Sequence, residues 1–344
     1  MTKIRNSLLV CLILLIFLFC TGCEKKEAGT ASDTRAFFDT SVTLTIYGPA
    51  ADQALSECFD MCRSMELIYS AENEKSELSK INHRSAQTVE ISDDLRNAIS
   101  LGLQAYEDSG GLFDITMLPV TRLWDFRSGK GKVPDAYLLS EELLRVNAET
   151  LSLDGNSLSI SDRNVELDLG AIAKGCISAS LKEYLQSREG VTGAVLNLGG
   201  NISVVGGKPD GQPFRIGIQK PFSNRGETLA TVELPGGYCV ISSGVYERCF
   251  EQDGHFYHHI LSSETGYPVE TAITQATVIG TDDALCDTLS TVCILLGKEK
   301  AEALIAEKYP DLTVLFTDAD NQLLRYDAQS GEAAVNLSEP IIIK

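Results

Sequence analysis

The sequence is poor in basic residues. Its 344 residues include 29 lysines and arginines against 48 aspartates and glutamates, which gives a formal net charge of −19 at pH 7. An electric field of that sign repels nucleic acid, which disfavours nucleic-acid binding, and we expect no nucleic-acid partner. Any anionic ligand would therefore need locally placed positive charge, either a metal ion or particular lysine and arginine side chains.

The sequence also lacks a zinc-binding cysteine pattern. Beyond Cys23 there are seven cysteines, none of them in a C-x-x-C motif and none beside a histidine at zinc-ligand spacing. Because seven is odd, these cysteines cannot all pair within one chain, and we expect reduced thiols in the core. Cys58 and Cys62 are spaced like one face of a helix, as buried thiols would be.

The apolar run at residues 8–20 is too short to span a bilayer as a mature helix. It follows basic residues and precedes a Gly-Cys pair and a polar stretch, which is typical of a bacterial lipoprotein signal. We predict residues 1–22 as the signal peptide, Cys23 as the lipidated first residue, and 23–36 as a flexible linker. The alternative is an uncleaved N-terminal anchor. Both place the rest of the chain outside the cytoplasmic membrane.

Residues 37–344 are enough for one large domain or two intertwined lobes. Helical and alternating hydrophobic patterns are mixed without strict β-α-β order, which predicts an α+β fold. The predicted helices are 51–69, 76–82, 92–108, 170–187, 282–297 and 299–308, and the predicted strands are 41–48, 165–169 and 194–198, with strand pairs around 154–155 and within 312–326.

The segment DLGAIAKGC (168–176) indicates the end of a buried strand, a glycine turn and a helix that carries one lysine. Free N–H groups at a helix N-terminus favour an anionic ligand. The segment matches neither G-x-x-x-x-G-K-[ST] nor G-x-G-x-x-G, so it is not a standard phosphate loop. We expect Asp168 and Lys174 to face the same cleft. The alternative is that Asp168 caps the helix and Lys174 is solvated.

Two glycine pairs mark further candidate segments. In NLGGNI (197–202), the glycines let backbone N–H groups approach a ligand closely, and Asn201 adds a side-chain amide. A tight turn between two strands explains that pair equally well. In GGLFDIT (110–116), Asp114 stands in an otherwise apolar run, and a buried carboxylate there needs partners or a ligand.

The helical segment DTLST (287–291) carries three side-chain oxygens on one face. Asp287, Ser290 and Thr291 lie at positions i, i+3 and i+4. A carboxylate with two hydroxyls and no histidine or cysteine suits a hard cation such as Mg²⁺. We expect Asp287→Ala to abolish Mg²⁺-dependent turnover and to leave the fold intact, because a surface-facing ligand is lost. The alternative is that the hydroxyls bond to helix carbonyls.

Three of the four histidines fall within five residues, in HFYHHILSSETGYPV (255–269). Strand alternation would put His258 and His259 on opposite faces, one catalytic and the other solvated. A histidine metal site is the weaker interpretation, since no carboxylate nearby has matching spacing.

Together and in this order, these motifs resemble those of the ApbE family, the FAD:protein FMN transferases. The resemblance covers nearly all of the chain beyond the linker and includes FFDTSVTLTIYG, SELSKIN, GGLFDITMLPVTRLW, DLGAIAKG, NLGGNISVVG, SSGVYER and DTLSTVCILLG. It implies an ApbE-like mixed sheet-and-helix domain at residues 37–344, with an FAD cleft between two lobes. The chain departs from the family at Ser262 and Ser263, which replace an Asp-Pro pair, and at Asp39, where many members carry glycine.

The resemblance also implies roles for individual residues. Flavin contacts fall on matching positions, and Mg²⁺ is held by the Ala171 carbonyl with oxygens from DTLST. His259 and Lys174 match catalytic positions beside the diphosphate. The implied cofactor-binding residues are Phe38, Glu72, Leu112, Phe113, Asp114, Asp168, Lys174 and His259, and the implied metal ligands are Ala171, Asp287, Ser290 and Thr291.

The implied reaction is Mg²⁺-dependent transfer of FMN from FAD to a serine or threonine hydroxyl of an acceptor protein, with release of AMP. Two alternatives remain at this stage: Mg²⁺-dependent hydrolysis of FAD to FMN and AMP, and non-catalytic FAD binding by a lipoprotein. The expected location is extracytoplasmic, with the chain anchored to the cell membrane by lipid on Cys23.

Overall fold

The computed structural model describes residues 29–343. The helices are α1 (Ala51–Tyr69), α2 (Glu77–Asn82), α3 (Asp93–Asp108), α4 (Leu118–Trp124), α5 (Ala136–Leu143), α6 (Ala173–Ser187), α7 (Asp283–Leu296) and α8 (Lys298–Lys308). The strands are β1 (Thr30–Phe37), β2 (Thr40–Tyr47), β3 (Thr88–Glu90), β4 (Leu151–Asp154), β5 (Ser157–Ile160), β6 (Gly193–Leu198), β7 (Asn201–Gly206), β8 (Phe214–Gln219), β9 (Thr228–Leu234), β10 (Cys239–Gly244), β11 (Cys249–Gln252), β12 (His255–His258), β13 (Ile273–Gly280), β14 (Thr313–Asp318), β15 (Leu323–Asp327), β16 (Gly331–Ala334) and β17 (Ile341–Ile342).

A nine-stranded antiparallel sheet organises the fold, with strand order β1-β2-β6-β7-β10-β13-β14-β15-β16. All eight residues of β13 are buried, because the sheet is covered on both faces at its centre. Helices α6 and α7 cover one face, and the three-stranded sheet β17-β9-β8 covers the other through a second apolar cluster. Sheet and helices in this arrangement are the predicted α+β fold.

The predicted helices are present, and two further helices, α4 and α5, were not predicted. The first helix has the predicted bounds because its apolar residues repeat at helical spacing along all 19 residues. Cys58 and Cys62 lie on its buried face, as predicted. All seven cysteines in the described part of the chain are free thiols, and only Cys249 is exposed.

The linker prediction is wrong over its last seven residues, 30–36, because β1 begins at Thr30. This strand pairs with β2 along its full length at the edge of the large sheet. Most of its side chains are exposed, so the polar sequence that indicated a linker also suits an edge strand. The predicted signal peptide and Cys23 lie outside the described residues. Within residues 29–343, no helix is both long and apolar enough to cross a membrane.

The predicted strand at 165–169 is also wrong: the segment is buried but forms only an isolated bridge between Glu166 and Met117. The Asn82 side chain takes the place of a neighbouring strand. Its amide nitrogen donates to the Leu167 carbonyl at 2.9 Å, and its oxygen accepts from the Leu167 N–H at 2.7 Å. Because the backbone is satisfied by this side chain, the segment stays extended without joining a sheet.

Candidate functional site

A cleft of about 630 Å³ opens beside the N-terminus of α6 and the inner face of α7. Residues of the main core and of a smaller apolar cluster that contains Trp124 of α4 both line it. Every sequence-predicted site residue in the described part of the chain lines this cleft, with the exception of Ser290. Residues distant in sequence therefore meet at one place, as the motifs predicted.

The turn between the buried segment and α6 presents backbone and charge to the cleft. Asp168 does not cap α6, which begins at Ala173 and not at residue 170 as predicted. Instead, its carboxylate accepts the Gly170 N–H at 2.9 Å and the Thr121 hydroxyl at 3.0 Å. Lys174 lines the cleft one residue into the helix. The positive end of the α6 dipole and the lysine ammonium therefore face the same space.

Asp287 is the central acidic residue of the site. It is 2% exposed, so the expectation of a surface-facing ligand is wrong. Its Oδ2 accepts the Gly175 N–H at 2.8 Å and its Oδ1 accepts the Asn201 amide at 2.7 Å, while Lys174 Nζ lies 3.5 Å from Oδ1. Three donors from two segments, Lys174 and Gly175 of α6 and Asn201 of β7, thus hold this carboxylate in place.

The Ala171 carbonyl is left free by the same arrangement. In a regular helix, the Gly175 N–H would bond to the carbonyl four residues earlier, which is that of Ala171. Here it bonds to Asp287, and no described residue donates a hydrogen bond to Ala171. Ala171, with its free carbonyl, lines the cleft together with Asp287 and Thr291. Oxygen donors of these three kinds fit a Mg²⁺ ion.

Ser290 is not positioned as a metal ligand, contrary to the prediction. Its side chain is fully buried and does not line the cleft. Its hydroxyl donates to the Asp287 backbone carbonyl at 2.7 Å, which is the helix back-bond considered as the alternative. Within residues 29–343, no group of three or more histidine, cysteine, aspartate or glutamate side chains is placed to hold a metal ion.

The β1–β2 turn brings Phe38 to the cleft. Phe38 and Asp39 both have positive φ, 55° and 56°, as the favoured two-residue hairpin turn requires. The Phe38 N–H donates to Glu66 at 3.0 Å. A bulky residue in this backbone region is unusual and costs free energy. The glycine that many family members carry at position 39 suits the same positive φ.

The Leu112-Phe113-Asp114 segment lines the cleft, but the Asp114 carboxylate accepts hydrogen bonds from neighbouring protein groups. One oxygen accepts from the Thr116 N–H at 2.7 Å and from the Thr116 hydroxyl, and the other accepts from the Ala148 N–H at 3.2 Å. Burial raises the pKa of Asp114, and these hydrogen bonds partly offset the increase. The buried carboxylate therefore has the partners that the sequence required.

Two arginines hold Glu72 at the mouth of the cleft. The Glu72 carboxylate lies 3.3 Å from Arg122 Nε and 3.8 Å from Arg127 Nη1. Arg127 also lies 4.0 Å from Asp168. Exposed pairs of this kind contribute little to stability, but they set the charge that an approaching anion meets.

His259 projects into the cleft at the end of β12, while its neighbour His258 is buried and bonds to the Val269 carbonyl at 3.2 Å. The two side chains therefore lie in different environments, as strand alternation predicts. The expectation that one of them is solvated is wrong, because His258 is buried. The His259 Nδ1 is shielded from solvent and has no hydrogen-bond partner among the described residues. Burial, with the positive charges of Arg248, His258 and Lys174, lowers the pKa of His259 to about 3.

The lowered pKa predicts a pH-dependent stability. Because the His259 pKa rises from about 3 in the folded chain to an ordinary 6.5 on unfolding, the unfolded chain binds more protons between these values. The free energy of unfolding should therefore fall as pH decreases through this window. The wild-type protein should lose free energy of unfolding between pH 7.5 and pH 5. We expect this loss to be smaller by roughly 1–2 kcal/mol in His259→Asn, as measured by urea unfolding. Equal pH dependence in both proteins would contradict a shielded imidazole.

The sequence interpretation missed several residues that line the cleft. Some of them belong to the segment SSGVYER and to the loop after α4. SSGVYER is a family motif, but no residue in it stands out by its spacing. The missed residues include Ser243, Glu247, Arg248 and Arg127.

Comparisons with known proteins show similarity along most of the chain. The chain is 31% identical to the FAD:protein FMN transferase of Klebsiella pneumoniae (strain 342), over 82% of this chain and 87% of the relative. It is 30% identical to the protein of that name from Treponema pallidum (strain Nichols), over 89% and 91%.

Solved structures have the same fold. The flavin transferase ApbE from Vibrio cholerae aligns with a TM-score of 0.76 at 25% identity, over 88% of this chain and 98% of the other. The Pseudomonas stutzeri flavinyl transferase ApbE, in its apo form, aligns with a TM-score of 0.73 at 27% identity, over 91% and 96%. The model of the ApbE family matches residues 38–316, a range that includes every residue of the cleft described above. The chain belongs to the ApbE family.

Proposed function

We propose that this protein transfers FMN from FAD to a serine or threonine hydroxyl of an acceptor protein and releases AMP, with Mg²⁺ bound in the cleft. One observation carries the proposal: the free Ala171 carbonyl, Asp287 and Thr291 lie in the same cleft as Lys174 and His259. Oxygen ligands for a cation beside fixed positive charge suit a diphosphate substrate. Relatives named FAD:protein FMN transferase support the choice of reaction.

The reaction forms one phosphoester bond and breaks one bond of the diphosphate. The acceptor hydroxyl oxygen attacks the phosphorus on the FMN side of FAD, and the bond from that phosphorus to the bridging oxygen breaks. AMP leaves with the bridging oxygen, and the hydroxyl proton passes to a base. Most of the catalysis in such transfers comes from positioning and charge stabilisation.

The charge of the substrate is met by groups at the N-terminus of α6. Lys174 and the positive end of the helix face the cleft, where they attract the diphosphate and stabilise charge that develops on AMP. A Mg²⁺ ion held by Ala171, Asp287 and Thr291 would supply further neutralisation of the phosphate oxygens. The buried position of Asp287 excludes water from that carboxylate and strengthens its interaction with a cation.

His259 is the base in this proposal. With its pKa lowered to about 3, the imidazole is neutral at physiological pH and has a lone pair free to accept a proton. A group with so low a pKa is a weak base, but the negative diphosphate bound nearby opposes the positive charges of Arg248 and Lys174. Substrate binding is therefore expected to raise the pKa toward the range in which general bases are effective.

We also propose that the protein acts outside the cytoplasm, anchored by lipid on Cys23. The support is the sequence pattern of residues 1–23, which lie outside the described part of the chain. The strand that begins at Thr30 leaves a short polar segment between that anchor and the fold.

The function can be tested with the full-length chain in detergent, incubated with FAD, Mg²⁺ and a candidate acceptor domain. We expect the acceptor to gain one FMN by intact-mass spectrometry, matched by one AMP, because the two products form in one step. Omission of Mg²⁺ or addition of a chelator should stop both. AMP formed at an equal rate without acceptor would indicate FAD hydrolysis, and FAD that stays bound without AMP would indicate a binding protein.

A further inference from the structure

Ser243 connects the large sheet to the proposed cation site. It lies on β10, lines the cleft, and contacts two hydroxyls of α7. Its Oγ lies 2.7 Å from Ser290 Oγ and 3.1 Å from Thr291 Oγ1. The chain of hydroxyls ends at the Asp287 backbone carbonyl, which is 2.7 Å from Ser290 Oγ.

The carbonyl end determines the direction of the whole chain of hydrogen bonds. A carbonyl oxygen only accepts, so Ser290 donates its single proton to Asp287. The contact between Ser243 and Ser290 then requires Ser243 to donate. Since Ser243 has used its proton, the remaining contact requires Thr291 to donate to Ser243. Each hydroxyl donates once, and the order is Thr291 to Ser243 to Ser290 to Asp287.

This order has a consequence for the cleft. Because the Thr291 proton points to Ser243, the Thr291 lone pairs are free to accept another partner, and Thr291 lines the cleft together with Asp287 and Ala171. A hydroxyl oxygen binds a cation through its lone pairs. Ser290 is fully buried, so water does not compete for the middle of the chain and reverse it.

We propose that Ser243 is a positioning residue that orients the Thr291 hydroxyl as a ligand for a divalent cation. The inference rests on the proposed function, in which Thr291 holds Mg²⁺. Ser243 acts through Thr291 and does not itself bind the cation. Ser290 fixes the direction of the hydrogen bonds and does not contact the cation either.

The test measures cation binding in the free full-length protein, without FAD and independently of turnover. Mn²⁺ serves as the probe, because bound and free Mn²⁺ are distinguished by electron paramagnetic resonance. We expect Ser243→Ala to weaken Mn²⁺ binding roughly tenfold, because the net contribution of one ordering hydrogen bond is lost. Ser290→Ala, outside the cleft, should also weaken it several-fold because the chain then has no fixed direction.

A double variant separates orientation from a general effect on the fold. Thr291→Val removes the ligand hydroxyl and keeps the side-chain shape, and adding Ser243→Ala to it should cause no further loss of affinity. Urea unfolding of each variant shows whether the fold is retained. If the double variant binds Mn²⁺ a further tenfold more weakly than Thr291→Val alone, the proposal is overturned. Wild-type Mn²⁺ affinity in Ser243→Ala would also overturn it. If the wild-type protein binds no Mn²⁺, the cation site of the proposed function fails first, and the inference fails with it.

Discussion

Replacement of Asp287 by asparagine is expected to reduce FMN transfer by roughly a thousandfold, because the only carboxylate among the proposed cation ligands is lost. The asparagine amide would also be placed between groups that only donate hydrogen bonds. Both carboxylate oxygens now accept from N–H donors of Gly175 and Asn201. An amide nitrogen in either position would face a donor, so we also expect a loss of about 1–3 kcal/mol in the free energy of unfolding.

The measurements for Asp287→Asn are single-turnover FMN transfer, Mn²⁺ affinity and urea unfolding. Asp282→Asn is a matched control, since Asp282 is the N-cap of the same helix and asparagine retains the capping bond to the Leu285 N–H. The control should transfer FMN at the wild-type rate. Wild-type transfer by Asp287→Asn would contradict the assignment of the cation site.

Replacement of Gly175 by alanine is expected to separate α6 from α7 and weaken both the fold and the site. An added Cβ would lie 2.6 Å from the Asp283 carbonyl oxygen and from Asp287 Cβ, and 2.8 Å from Ala284 Cα. Two of these atoms belong to the backbone, so no rotation of a side chain relieves the overlap. Overpacking of this kind costs about 1–3 kcal/mol. Displacement of the helices also lengthens the bond from the Gly175 N–H to Asp287.

The free energy of unfolding and the Mn²⁺ affinity measure the two effects of Gly175→Ala. Gly207→Ala is the control, because an added Cβ at Gly207 would meet no atom within 4 Å and the residue does not require positive φ. We expect the control to change stability by less than about 0.5 kcal/mol. If both variants are equally stable, the helices are not held at their present distance by Gly175.

A buried ion pair also joins α6 to α7, the two helices that meet at Gly175. Lys182 of α6 donates to Asp283 of α7 at 2.7 Å and to the Thr281 carbonyl at 2.8 Å, and Ser178 donates to the same carboxylate at 2.6 Å. These contacts lie away from the cleft. They join α7, which carries Asp287 and Thr291, to α6, which follows directly after Ala171, so the geometry of the site depends on packing that no ligand touches.

Local patterns along the chain correctly predicted most of the helices and many of the residues that line the cleft. Helix α1 has the predicted bounds because hydrophobic spacing is a local property of the sequence. The family motifs likewise identified Ala171, Lys174, His259, Asp287 and Thr291 as residues that come together. Motifs were informative here because each residue type carries the same chemistry wherever the fold places it.

The difference between Ser290 and Thr291 shows where the local pattern was insufficient. At about 100° per residue, positions i+3 and i+4 lie about 60° and 40° from position i, on opposite sides of it. Both were therefore assigned to the face of Asp287, yet the cleft opens on one side only. Thr291 faces the cleft and Ser290 faces the core, and this choice depends on how α7 packs against β10.

The sequence by itself determined the family, six of the eight helices in residues 29–343 and many of the side-chain types in the cleft. Tertiary structure alone decided which oxygens are free. The Ala171 carbonyl accepts no hydrogen bond from the described residues, and the N–H of Gly175, four residues later, bonds instead to Asp287, 112 residues away. Thr291 is oriented by Ser243, 48 residues away. Hydrogen bonds between segments so distant are set by the packing of sheet and helices, and no periodicity in the sequence specifies their direction.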